Sequence, residues 1–111
     1  MPNDSKGEVE IKLGAEMVTL RPSFESMAEI ENRSGFGIQG LAIKIMEQNV
    51  STAIIAAVVY GGLIGAENTK YSFDDVKKLV FKTGYAKLLG PVMQFMANAM
   101  SPNPEEPEKK T

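Results

Sequence analysis

The chain contains neither cysteine nor histidine, and these two absences remove more chemistry than any motif in it adds. Without cysteine there are no disulfides, thiolate metal sites or cysteine nucleophiles, and without histidine every imidazole-based triad is lost. An excess of one charge is missing too. Twelve Lys and Arg stand against 14 Asp and Glu, a net charge of −2, so no basic field exists to hold phosphate backbones or anionic lipid, and direct nucleic-acid binding is not expected. Long apolar runs are equally scarce. The longest, Ser51 to Ala66, is shorter than the roughly 18–20 residues of a membrane span. The opening MPNDSKGEVE has no basic segment leading into an apolar one, so neither signal peptide nor membrane anchor is expected, and the cytoplasm is the expected compartment.

What is present suits one small domain: 111 residues with 43% hydrophobic content make a modest single core. The run STAIIAAVVYGGLIGA is its natural centre. Ser51 is a helix N-cap, and Ile54, Ile55, Val58, Val59 and Leu63 recur at three- and four-residue spacing, so a helix buried almost all round is expected. Ala53, Ala56 and Ala57 leave another side small enough for a neighbouring helix, and Gly61, Gly62 and Gly65 are expected to loosen and end the helix.

Before this helix, Val9, Ile11 and Leu13 alternate with Glu8, Glu10 and Lys12, the pattern of a half-buried strand. Gly14-Ala15 forms a tight turn into a second strand over Glu16 to Leu20, ended by Pro22. Ser23 caps a helix from Phe24 to Asn32 whose buried side should hold Phe24, Met27, Ala28 and Ile30, with Ser34-Gly35 closing it. A second helix is expected over Ile38 to Gln48, with Ile38, Leu41 and Ile45 inward. Ser72 and Asp75 form a capping box ahead of a helix from Phe73 to about Lys82. After Thr83-Gly84 a last helix runs to Met100, with Pro91 expected either to kink it or to mark its true start. The expected architecture is α+β, a β-hairpin packed on about five helices. Residues 7–100 form the domain, residues 1–6 a flexible start, and residues 101–111, rich in proline and devoid of apolar side chains, a disordered tail.

Candidate sites are few. Asp74-Asp75 offers oxygen ligands to a hard cation, but first-turn acids complementing a helix dipole explain the pair without metal. Gly61-Gly62-Leu63-Ile64-Gly65 lacks the Lys-Ser/Thr ending of a phosphate loop and closes a helix rather than opening one. Lys77, Lys78, Lys82 and Lys87 give either a solvated face or a docking surface for an acidic partner. Most of the seven methionines, Met46 among them, are expected to fill core gaps, yet Met93, Met96 and Met100 with Phe95 form an apolar ridge of the kind that receives partner helices. No cofactor, no metal and no catalytic residue is expected.

The order GEVEIKLGAEMVTLRPSFESMAEIE, then VSTAIIAAVVYGGLIGA, then SFDDVKKLV and a final helix resembles the small tail proteins of phage-like gene transfer agents, described as tail tube proteins or as tail assembly chaperones. The likeness runs from about Gly7 to Ala99. Its landmarks are the hairpin, Ala28-Glu29-Ile30-Glu31, the Ser51 start with its glycine-rich finish, and Phe73-Asp74-Asp75-Val76. The acidic tail lies outside it. The resemblance implies a non-enzymatic role in building a phage-type tail. One form is a chaperone that binds the tape-measure protein or another tail component such as the tail tube protein in the cytoplasm during assembly; the alternative is a tube subunit that forms rings within the virion tail.

Overall fold

Gly14 sits at φ +64° in the turn of a hairpin, a backbone conformation that favours glycine. Its amide donates to the Thr83 hydroxyl at 2.7 Å, tying the turn to the end of a distant helix. The structure, a computed structural model, describes residues 6–101; the flexible start and disordered tail expected from the sequence fall outside them but for Lys6 and Ser101. Strands β1 (Val9–Leu13) and β2 (Glu16–Leu20) pair antiparallel with Ile11 opposite Val18. That register puts Ile11, Leu13, Val18 and Leu20 on the buried face and leaves Glu10, Lys12 and Met17 outside. Five helices follow: α1 (Phe24–Ser34), α2 (Ile38–Met46), α3 (Thr52–Gly65), α4 (Phe73–Thr83) and α5 (Tyr85–Met100). The fold is α+β, one small domain.

Local signals account for most of the helix boundaries. Ser51 accepts from the Ile54 amide, and Ser72 and Asp75 form the expected capping box. Ser23 forms a second box with Ser26, a fully buried residue whose hydroxyl also donates to the Ser23 carbonyl. Helix α3 occupies the centre and packs on α1, α4, α5 and β2. Ile55, Val58, Val59 and Leu63 are all buried. At roughly 25 cal/mol per Å² of apolar surface removed from water, such a helix supplies a large share of the folding drive.

Two expectations are corrected here and one is extended. Gly61, Gly62 and Gly65 lie in the last turns of α3, which ends at Gly65 with Ala66 as its cap, and they have a second role. They admit neighbouring backbone: a Cβ on Gly65 would sit 1.9 Å from the Arg21 carbonyl oxygen, one on Gly61 2.8 Å from that of Ser26, and one on Gly62 2.6 Å from Leu20 Cβ. In α1 the buried side is Ser26 and Ile30, with Met27 half-buried, while Ala28 is exposed and Phe24 points to solvent at 84% exposure. The close seam with α3 selects the small Ser26 for the inner face. Finally, Pro91 does not mark the start of α5, which begins at Tyr85 and continues through it.

Candidate partner-binding surface

Among the described residues, two surface features bear on the sites named from the sequence. The first lies between α2 and α5. Helix α2 buries Leu41, Ala42 and Ile45, and a nine-residue helix has room for only one such face. Ile38, at its start, is half-buried against the core, while Ile43 and Met46 point outward, at 57% and 68% exposure. Across from them α5 presents Met100, 40% exposed, and the half-buried Met93. Between the helices runs a groove of about 750 Å³, and no charged side chain lines it.

Of the four ridge residues named from the sequence, the structure brings only Met93 and Met100 to this surface. Phe95 is fully buried and Met96 is 2% exposed, so Phe95 belongs to the core and Met96 forms the floor of the groove. The ridge is corrected accordingly: α5 is apolar around much of its circumference, and the elements packed against it decide which positions stay outside. Sequence reasoning missed Ile43 and treated Met46 as filler. The signal was available, since Ile43 and Met46 fall outside the Leu41/Ile45 face.

The second feature is electrostatic. Lys77 and Lys78 pair with Asp74, at 3.8 and 3.6 Å, and Lys77 also stands 5.2 Å from the Phe73 ring centroid. They belong to a solvated helix face. Lys82 and Lys87 instead join Lys12 of β1 around a cleft of about 690 Å³ beside the hairpin turn. Asp75 is engaged in its capping box, and no group of three or more potential metal ligands gathers among the described residues.

Two further clusters hold the elements that carry these surfaces. Glu16 accepts from Lys70 at 2.9 Å and from the Tyr71 hydroxyl, linking β2 to the α3–α4 loop. The Tyr71 hydrogen bond first, and then Lys70, hold the Glu16 carboxyl below its usual range. Its carboxylate in turn raises Lys70 and Tyr71 above theirs. Arg33 lies 5.1 Å from the Tyr60 ring centroid and 4.8 Å from that of Phe73, and the two rings meet edge to face at 5.4 Å.

Above its buried core the small α+β domain thus presents an uncharged groove and a cleft lined by three lysines. The family of phage tail tube proteins described as GTA-gp10 matches residues 6–101, and the chain belongs to that family. No curated protein and no solved structure matches it. Among the described residues no helix is long and apolar enough to cross a membrane.

Proposed function

We propose that the chain acts in phage-type tail assembly by receiving an apolar helical segment of another tail protein in the α2–α5 groove, with the tape-measure protein as the first candidate. The observation that carries this reading is the uncharged groove edged by Ile43, Met46 and Met100. Exposed apolar surface on a small domain marks an interaction site. Methionine side chains repack readily around a guest helix, and a helix laid in such a groove is held by anchors at i, i+3 or i+4, and i+7. Helix α2 is about 14 Å long at 1.5 Å per residue, enough to oppose two turns of the guest. The role is one of contact, without covalent chemistry, exercised in the cytoplasm while tails are built.

A second reading, a structural tube subunit, draws on the description of the matching family. A ring of identical subunits needs two complementary faces of roughly 800 Å² each. Sedimentation and electron microscopy of the purified chain separate the two. The assembly role predicts a monomer or small oligomer over a wide concentration range, a sedimentation shift on adding a tape-measure segment, and loss of that shift in Met46→Glu with melting unchanged. Rings or tubes formed by the isolated chain would replace it with the tube-subunit reading.

A further inference from the structure

The cleft beside the hairpin turn brings together three lysines from three elements: Lys12 on β1, Lys82 on α4 and Lys87 on α5. No carboxylate lines the cleft, and among the described residues none of the three lysines has an ion-pair partner, although the chain as a whole is acidic. Beyond Ser101 the sequence continues PNPEEPEKKT, which carries Glu105, Glu106 and Glu108 and no apolar side chain. Such a segment has no hydrophobic core to join, so charge is the attraction left to it. We infer that this C-terminal segment docks on the cleft of its own chain, with Glu106 and Glu108 meeting Lys87, Lys82 and Lys12.

The reach is sufficient. From Ser101 back to Lys87, α5 rises about 21 Å at 1.5 Å per residue. Extended chain covers at most about 3.4 Å per residue, so Glu106 lies up to about 17 Å from Ser101 and Glu108 up to about 24 Å. That puts Glu106 within side-chain reach of Lys87 and Glu108 in the cleft. The path is open as well. Ser101, Ala97, Gln94, Gly90 and Lys87 follow one another at three- and four-residue spacing along one exposed face of α5, and nothing lies within 4 Å of a Cβ placed on Gly90. Tethering raises the effective concentration of the segment far above that of a free peptide, which favours its own cleft over a neighbour's. Lys109 and Lys110 reduce the segment's net charge, so the attraction is local and sensitive to salt. Gly90, Gln94 and Ala97 also line the α2–α5 groove. On the function proposed above, a guest helix therefore enters beside the docked segment and competes with it for that wall.

The test compares backbone amide NMR spectra of the full chain with those of a chain ending at Ser101, both at low salt. Docking predicts shift differences at Lys12, Gly14, Thr83, Lys87 and Leu88. They should persist on dilution, vanish near ~1 M salt where the Debye length falls to about 3 Å, and be absent from a full chain carrying Lys82→Glu and Lys87→Glu. Both lysines are exposed, so that variant should melt normally. Differences confined to the residues next to Ser101, or unaffected by the charge reversal, would overturn the proposal. Differences that fade on dilution would assign the segment to a second copy instead. No groove partner enters the measurement, so its outcome is independent of the assembly role.

Discussion

The α1–α3 seam and the α2–α5 seam are both contacts between two helices of one small domain, and they are built from opposite materials. At the first, Gly61 and Gly65 let the α1 chain and the Arg21 carbonyl approach so closely that no side chain fits between. At the second, isoleucine and methionine line a groove open to solvent. Close packing of backbone on backbone has little freedom to rearrange, whereas a methionine-lined gap can repack around a guest. One seam fixes the fold; the other stays open, as the proposed assembly role requires.

The largest expected effect tests the rigid seam. Gly65→Ala places a methyl against the Arg21 carbonyl, and backbone must shift to admit it; a loss of about 3 kcal/mol, the upper end of the usual range for overpacking, should appear in urea denaturation. A loss below about 1 kcal/mol would show this seam to be as yielding as the other and dissolve the contrast. On the open seam, Met46→Ser removes an exposed side chain and should change stability by no more than about 0.5 kcal/mol. A clear drop in its melting temperature would mean that the groove rim supports the fold.

The smallest effect concerns neither seam and so provides a reference for both. The folded-state pKa of Glu16 is lowered, so its tie to Tyr71 and Lys70 contributes fully above the usual carboxylate pKa and is lost as pH falls through the lowered value. Lys70 and Tyr71 are raised, and their contributions are lost as pH rises through their folded values. Glu16→Gln should flatten the acid limb of a stability–pH curve slightly, the groups being solvent-exposed. An unchanged acid limb would remove the tie from consideration.

What the sequence made legible was local. The strand alternation, the Ser51 cap and the Ser72–Asp75 box are patterns within one segment, and the structure reproduces them. What it left out required knowledge of a neighbour. Gly61, Gly62 and Gly65 do close α3, but that they also admit Arg21, Ser26 and Leu20 shows only once those residues are in place. Phe24, Met27 and Ala28 share one face of α1, but the face that meets α3 is that of Ser26 and Ile30, roughly 120–160° around the helix from Phe24. In α5 the apolar spacing offers Phe95 and Met96 or Met93 and Met100 as the outer pair. Only the approach of the hairpin, α3 and α4 on one side and of α2 on the other decides between them.

The Arg33 cation over the Tyr60 and Phe73 rings has an optical consequence. The chain has no tryptophan and only three tyrosines, so its near-ultraviolet circular dichroism comes from few chromophores, and a phenol ring held edge-on to Phe73 beneath a guanidinium sits in a strongly asymmetric field. Near-ultraviolet ellipticity is lost when fixed tertiary packing is lost, even where helices survive. Tyr60, at the junction of α1, α3 and α4, thus serves as an intrinsic reporter of whether these three helices are docked, readable without any added label.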